Sequence, residues 1–225
     1  MIRWAIGYDP GEAGPYFTMA HSLQRHSSMP ISIIPVDLRN LRGILTRERH
    51  PLQSNEFSFS RFLVPWMMSY EGWCVFSDPD ALAKDDPAKL WARRDDRFAL
   101  MCVHHNFQPK EEIKYLGNVQ TKYERKNWSS VVLWNCGHPA NRKLTPEYIN
   151  EANGLDLHQF KWVHDDHIGH LPCDWNHLVG HAPYDPRAKL VHYTTGGPWL
   201  EEYKNCDYHQ DWHSENFDMT YIRKK

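Results

Sequence analysis

Short β-type runs alternate with helix-type runs along the first two thirds of the chain, and this alternation restricts the fold more than any other feature. Ile2 to Tyr8 predicts a first strand, and residues 16–26 have the spacing of a first helix. Residues 31–36 predict a second strand, in which Pro35 must lie at an edge or an end because it has no N–H to donate. Such an alternation is typical of an α/β layer fold.

The later elements continue the same pattern. A helix is predicted over residues 57–70, with a break at Pro65. Three buried strands are predicted at residues 73–76, 98–103 and 130–134, and capping residues followed by proline predict helix starts at Asp86-Pro87 and Thr145-Pro146. Beyond about residue 155 the pattern becomes irregular. The sequence therefore predicts a single domain with a loop-rich C-terminal third.

Composition excludes several classes of protein. With 225 residues the chain can form one sizeable α/β domain, and its formal net charge of -2 does not favour a general nucleic-acid binder. Its five cysteines are scattered singly, which argues against a zinc knuckle or a disulfide framework. The N-terminus does not resemble a signal peptide, and no run approaches the ~20 apolar residues of a membrane span. We therefore expect a cytoplasmic protein.

The most informative motif is Asp78-Pro79-Asp80, which directly follows a buried strand. Two carboxylates one residue apart can converge on one hard cation, and Mg²⁺ and Mn²⁺ bind carboxylates together with substrate phosphates. On spacing alone, a turn that ends the strand and caps the next helix is the commoner interpretation of such a motif. Asp9 also follows a predicted strand, and ligands of open α/β sheets bind at the carboxyl ends of strands.

The sequence around this motif resembles glycosyltransferase family 8 and its relatives. The similarity lies in five segments: the arginine-bearing run 59–65, the strand and Asp-Pro-Asp at 72–80, Ile6-Gly7-Tyr8-Asp9, residues 128–135, and the late block 192–199. The Asp-x-Asp block and the late histidine block are the specific ones. The resemblance implies a GT-A type fold, in which helices flank a nucleotide-binding mixed sheet.

The resemblance also implies three groups of site residues. Asp78, Asp80 and His192 would hold Mn²⁺ or Mg²⁺. Asp165 and Asp166 would flank the reacting sugar as catalytic residues. Contacts to the nucleotide-sugar are implied for five residues: Tyr8 and Asp9 at the base, Arg61 at the phosphate or sugar, and Ser129 and Ser130 at the sugar. Apart from the resemblance, the backbone N–H groups of Gly196 and Gly197 can be offered to phosphate oxygens.

Two segments depart from the family pattern. The family carries a lysine just before the late Pro-Trp, whereas this chain has Gly197, so Lys189 or Lys204 could supply the lost cation, or nothing does. The family's Asn-Ala-Gly appears here as Trp128-Ser129-Ser130, which leaves the identity of the sugar open. The acidic pair at 165–166 has an alternative interpretation as the N-cap of a short helix.

Other histidines and charged runs give weaker signals. His164, His167 and His170 have i, i+3, i+6 spacing, but an ideal helix would turn the third away from the first, so we interpret them as solvated rather than zinc-binding. His104-His105 follows a predicted strand and can point into the cleft. The charged segment 106–127 is a candidate lid or acceptor loop, and His209 and His213 lie in a polar tail.

The predicted function is that of a metal-dependent glycosyltransferase. It would move a hexose from a nucleotide-diphosphate sugar, with a UDP-sugar as the expected donor, to a glycan or other hydroxyl acceptor with retention. Residues 1–105 would form the nucleotide and metal half, 106–200 the sugar and acceptor half, and 201–225 a tail. Two alternatives are a non-catalytic nucleotide-sugar or carbohydrate-binding module on the same scaffold, and a metal-dependent phosphoesterase, although the clustered Asp and His residues of a two-metal site are missing.

Overall fold

A computed structural model describes residues 1–48, 55–106 and 124–221, together with the short backbone stretches 113–114 and 118–119. The strands of these ranges are β1 (Ile2–Tyr8), β2 (Ile31–Asp37), β3 (Trp73–Ser77), β4 (Ala81–Ala83), β5 (Leu100–Cys102), β6 (Ile113–Lys114), β7 (Asn118–Val119), β8 (Val131–Asn135), β9 (Ile168–His170), β10 (His177–Leu178) and β11 (Leu190–His192). The α-helices are α1 (Ala13–His26), α2 (Val64–Met67), α3 (Pro87–Trp91), α4 (Pro146–Glu151), α5 (Gly154–His158) and α6 (His209–Thr220).

The main sheet is mixed and has the strand order β2-β1-β3-β8-β5-β9. Strands β1, β2 and β3 run parallel, β5 and β9 run in the same direction as these, and β8 is antiparallel to its two neighbours. The strand predictions at residues 2–8, 31–36, 73–76 and 130–134 are confirmed. Pro35 lies in β2 at the edge of the sheet, as its missing N–H requires.

Alternating residues of the strands form a core on each face of this sheet. Ala5, Phe76 and Trp134 belong to one buried cluster, whereas Trp4 and Val75 belong to the other. Such alternation follows from the period of two along a β-strand. Because both faces are covered, the carboxyl edge of the parallel strands remains as the place where polar side chains can gather.

A smaller sheet, in the order β10-β11-β4, lies at that edge. Strand β4 follows the turn after β3, and β11 pairs antiparallel with β4, so that His192 is opposite Ala81. Strand β10 pairs in parallel with β11. The small sheet therefore brings a late segment of the chain next to the turn that carries Asp78 and Asp80.

The prediction of one helix over residues 57–70 with a break at Pro65 is wrong. A 3-10 turn over Ser60–Leu63 leads into α2, and Pro65 lies in the first turn of α2. Proline is tolerated there because the first N–H groups of a helix have no intrahelical acceptor. The backbone then turns at Ser69 and Tyr70, which both have positive φ.

The C-terminal third is rich in loops, as predicted, but it ends in the helix α6, which packs on α1. Glu215 on α6 is 2% exposed and accepts hydrogen bonds from Arg25 Nε at 2.9 Å, and it lies 2.6 Å from His21 Nδ1. Trp212 is buried beside Trp199. Residues 209–220 are therefore an integral part of the domain rather than a frayed tail.

None of the helices in the described ranges has the length and apolar character that crossing a membrane requires.

Replacing Glu215 by Ala should lower the free energy of unfolding by about 1–3 kcal/mol, since Arg25 and His21 lose their buried acceptor. Glu201, which is 82% exposed and pairs with Lys204, gives a matched control. Its replacement by Ala should cost less than about 1 kcal/mol because exposed ion pairs contribute little. Urea unfolding of the two variants measures the difference, and equal losses would show that α6 does not depend on Glu215.

Candidate functional site

Three potential metal ligands from distant parts of the chain converge after β3. One ligand atom each of Asp78, Asp80 and His192 lies within 4.8 Å of the other two, and His192 Nε2 is 3.3 Å from Asp80 Oδ1. Tyr193 N donates to Asp80 O at 2.8 Å, which extends the β4–β11 pairing into the turn. Two carboxylates and one imidazole suit Mn²⁺ or Mg²⁺, which complete their octahedral shells with water or phosphate oxygens.

A buried hydrogen-bond chain fixes the orientation of His192. The carbonyl of Asn127 accepts from Ser130 Oγ at 2.7 Å, so Ser130 Oγ in turn accepts from Asn176 Nδ2 at 2.9 Å. The remaining Asn176 Oδ1 then faces His192 Nδ1 at 3.0 Å. Because a carbonyl can only accept, the direction of the whole chain is set at Asn127. Nδ1 of His192 therefore carries a proton, which leaves Nε2, 3.3 Å from Asp80 Oδ1, as the ring nitrogen that can bind a metal ion.

Arg61 stands behind Asp78 rather than in open solvent. Its side chain is 5% exposed, and Nη1 lies 2.9 Å from Asp78 Oδ1 and donates to Ser129 O at 3.0 Å. The guanidinium carbon is 5.2 Å from the centres of the Phe57 and Phe76 rings. This buried cation compensates the charge of Asp78 and holds its carboxylate in place. A direct contact between Arg61 and a donor stays a prediction.

Asp9 and Tyr8 end β1 at the same edge. Asp9 Oδ1 accepts from Gly11 N at 2.9 Å and Oδ2 accepts from Glu56 N at 3.0 Å, so its carboxylate organises the turns on both sides. The ring of Tyr8 makes an edge contact with Tyr16, with ring centres 5.0 Å apart. Contacts of Tyr8 and Asp9 with a base remain predictions.

Sequence reasoning missed a pair beside Tyr8. Asp37 ends β2 opposite Tyr8, and its carboxylate accepts from Arg39 Nε and Nη2 at 2.6–3.0 Å. The hydrogen bonds from Arg39 lower the pKa of Asp37. The guanidinium of Arg39 lies 5.3 Å from the centre of the Tyr8 ring. The rule that singled out Asp9, an aspartate at the carboxyl end of a strand, would also have found Asp37.

The two serines of the segment before β8 take part in holding the site. Ser130 belongs to the hydrogen-bond chain of His192, and Ser129 Oγ lies 2.8 Å from His158 Nδ1. Ser130 O accepts from Asp78 N at 2.9 Å, which joins this segment to the Asp-Pro-Asp turn. Their predicted contacts with a sugar are not tested by this geometry.

The acidic pair Asp165 and Asp166 lies in a 3-10 turn outside the metal trio. Asp165 is 72% exposed, and both of its oxygens lie 2.7 Å from Arg125 Nη2. Hydrogen bonding to Arg125 lowers the pKa of Asp165, which keeps it ionised at neutral pH. The N-cap of the turn is His164 rather than an aspartate. Along the described parts of the chain, the group of three or more potential metal ligands is the Asp78 trio, and it contains none of the three histidines His164, His167 and His170.

The glycine pair near the end is tightly enclosed. Gly196 has φ of 155° and its N–H donates to Tyr193 O at 2.9 Å, while a side chain at Gly197 would collide with Trp199. Of the two glycines, Gly197 is therefore the better candidate for a backbone contact with phosphate. The candidate replacement lysines are paired elsewhere: Lys189 with Asp174 at 2.8 Å and Lys204 with Glu201 at 2.5 Å. The proposed acceptor loop at 106–127 falls largely outside the described residues.

Comparison with known proteins places the chain in a family. No family model matches the sequence. Protein CDI of Arabidopsis thaliana is 46% identical over 231 residues, which cover 100% of this chain and 89% of that protein. This chain belongs to the Protein CDI family.

Solved structures show which fold this member of the Protein CDI family has. The WbbM bifunctional glycosyltransferase superposes with a TM-score of 0.68 at 13% identity over 97% of this chain, and GlyE of Streptococcus pneumoniae TIGR4 with 0.61 at 16% over 96%. The chain spans 50% of the WbbM chain and 60% of the GlyE chain. The galactosyltransferase LgtC, in complex with donor and acceptor sugar analogues, gives 0.56 at 11% over 99% of this chain and 98% of its own. The fold is therefore the GT-A fold that the resemblance to glycosyltransferase family 8 implied.

Replacing Asn176 by Ala should weaken Mn²⁺ binding about 10- to 100-fold, since ligand histidines depend on the partner of their second ring nitrogen. Titration of the protein into Mn²⁺, followed by the electron paramagnetic resonance of the unbound ion, measures this affinity. Asn216→Ala serves as the control. Asn216 Nδ2 also donates a hydrogen bond between two elements, from α6 to Thr18 Oγ1 on α1, but it lies outside the hydrogen-bond chain of His192. Equal Mn²⁺ affinity of the Asn176 and Asn216 variants would show that the hydrogen-bond chain does not orient His192 for metal binding.

Proposed function

We propose that this protein is a metal-dependent glycosyltransferase that moves a hexose from a nucleotide-diphosphate sugar to a glycan or another hydroxyl acceptor. The observation that carries the proposal is the convergence of Asp78, Asp80 and His192 at the carboxyl edge of a GT-A sheet. This edge is where open α/β sheets bind their ligands, and the trio has the ligand chemistry of a cation that holds a diphosphate. A UDP-sugar is the donor that the resemblance favours.

The structural neighbours support this class of substrate. WbbM and GlyE are glycosyltransferases, and LgtC, a galactosyltransferase, has been solved with analogues of both donor and acceptor sugars. By analogy we propose a nucleotide-sugar donor and a hydroxyl acceptor here. Fold similarity alone does not define chemistry, so the site residues carry the argument.

Each group of residues has a part in the proposed reaction. A divalent metal, when bound, would neutralise the charge that builds on the departing diphosphate. Arg61 holds Asp78 and Asn176 holds His192, so two of the three ligands are oriented before any ion arrives. Tyr8 and Asp9 would contact the base, with the Asp37 and Arg39 pair beside them.

The sugar side of the site is assigned to the remaining residues. Ser129 and Ser130 would border the transferred sugar, and Gly197 would offer its N–H to a phosphate oxygen. Asp165 and Asp166 would stabilise positive charge at the reacting carbon or orient the acceptor hydroxyl. Transfer with retention, a cytoplasmic location and the division into a nucleotide half (1–105) and a sugar half (106–200) are further parts of this proposal.

One departure favours a second candidate function. Gly197 lies where the pattern of glycosyltransferase family 8 has a lysine. Both candidate replacements, Lys189 and Lys204, are paired with other carboxylates. A non-catalytic module that binds the nucleotide-sugar through the same trio is consistent with a weaker hold on the leaving group. Slow release of sugar from a UDP-hexose in the presence of Mn²⁺ would argue against this candidate.

Replacing Asp80 by Asn should reduce sugar transfer or donor hydrolysis by about 100-fold or more, because the variant loses a charged metal ligand. Asp80 is a better target than Asp78, whose carboxylate also compensates the buried Arg61. Release of nucleotide diphosphate from UDP-glucose and UDP-galactose in Mn²⁺ measures the effect. Asp95→Asn is the matched control, since Asp95 pairs with the exposed Arg97. Full activity of the Asp80 variant would refute the metal assignment.

A further inference from the structure

His105 is a half-buried histidine at the edge of the sheet that carries the site, and none of the roles assigned so far uses it. It follows β5, so it lies at the same edge of the sheet as Asp78. Its own N–H donates to Val103 O at 3.0 Å, and its carbonyl accepts from Trp128 Nε1 at 3.0 Å. The ring of Trp128 stacks on His104 at 4.0 Å with an angle of 6° between the planes. The backbone of His105 is therefore fixed on both sides, and its ring has a defined place.

Within the described residues, Nε2 of His105 is buried and has no hydrogen-bond partner. A buried polar atom without a partner is unfavourable, so native structures retain few of them, and those that remain call for an explanation. Burial, followed by the nearby rings of His192, His177 and His104, lowers the pKa of His105 to about 3. The hydrogen bond from Trp128, which directly precedes Ser129 and Ser130 in the sequence, places His105 beside the segment whose Ser130 belongs to the hydrogen-bond chain of His192.

The unpartnered nitrogen is not a fourth ligand of the metal trio. The group whose ligand atoms all approach one another within 4.8 Å consists of Asp78, Asp80 and His192, and His105 is outside it. His105 therefore shares the edge of the sheet with the metal trio without belonging to it. A molecule held by the ion would lie at this edge, where open α/β sheets bind their ligands.

We propose that His105 Nε2–H donates a hydrogen bond to an oxygen of the donor's diphosphate, and that it supplies part of the phosphate contact that the missing lysine would have made. This inference rests on the proposed function. It explains why the buried Nε2 of His105, at the edge of the sheet that carries the metal trio, has no hydrogen-bond partner among the described residues. Three other candidates for the phosphate contact already have protein partners. Lys189 and Lys204 are paired with carboxylates, and the N–H of Gly196 donates to Tyr193 O.

The test compares two variants at one position with the wild type in binding assays with Mn²⁺. Affinities for UDP, UMP and UDP-glucose are measured by calorimetry with His105→Leu, His105→Gln and the wild type. His105→Leu should weaken UDP and UDP-glucose equally, by about 10- to 100-fold, as expected for loss of a hydrogen bond to a charged group. His105→Gln should recover part of the affinity, since its amide nitrogen can reach the position of Nε2. UMP, which has no β-phosphate, should be affected less.

Thermal unfolding without nucleotide or metal separates this role from a structural one. If His105 serves the ligand, His105→Leu should keep or raise the melting temperature, because an unpartnered buried nitrogen is replaced by apolar atoms. A large fall in melting temperature would instead assign His105 to the fold. His170→Leu, at the exposed end of β9, is the control and should leave nucleotide binding unchanged.

The remaining outcomes are also decisive. Loss of UDP-glucose affinity with UDP affinity intact would move the contact to the sugar and overturn the proposal. Unchanged affinities in His105→Leu would overturn it as well, while leaving the proposed function in place. Failure of the wild type to bind UDP, GDP or their sugars in Mn²⁺ would refute both the proposed function and this inference.

Discussion

The pairing of β11 with β4 is the interaction on which the rest of the site depends. It brings His192 opposite Ala81, and Tyr193 N then bonds to the carbonyl of Asp80. More than 100 residues separate the two segments in the sequence, so without this ladder the Asp-Pro-Asp turn would be two carboxylates at the end of a strand. With it, the turn gains an imidazole at 3.3 Å and becomes a set of ligands that one ion can bridge.

The surrounding hydrogen bonds convert this proximity into a defined geometry. His192, Asn176 and Ser130 each donate to the next member of a chain that ends at the carbonyl of Asn127, and Arg61 neutralises Asp78 from the buried side. The segment that carries Asn127 and Ser130 precedes β8, the antiparallel strand that starts where the parallel strands end. The single antiparallel strand of the main sheet therefore has a functional consequence, because it places this segment directly beside the metal ligands.

Much of this arrangement could be predicted from the sequence, and the limits have physical reasons. Strand β1 and strand β3 are apolar runs followed by aspartates, so their identity and the location of the site at their ends followed from local pattern. His192 was linked to the site through the family resemblance rather than through spacing. The α6 contact could not be predicted, because Glu215 is a charged residue that is buried only by virtue of Arg25 and His21 on a distant helix.

Roles within the site were harder to predict than its location. Arg61 was expected to contact the donor, but in the structure its side chain is bonded to Asp78 and Ser129. The rings of Phe57 and Phe76 help to bury it, and no local sequence pattern reveals these contacts. His105 could be recognised only from its surroundings, since a histidine after a strand is more often an ordinary polar residue. Tertiary contacts decide which side chain is satisfied by the protein and which is left for a ligand.

The central claim is that Asp78, Asp80 and His192 bind a metal ion that holds a nucleotide diphosphate. A thermal-shift panel of UDP, GDP and CDP and their sugars, each with and without Mn²⁺, tests it most directly through the linkage of binding to stability. The account predicts a rise in melting temperature that requires both Mn²⁺ and one class of nucleotide, and that disappears in Asp80→Asn. A rise of the same size without metal, or no rise with any nucleotide, would contradict it.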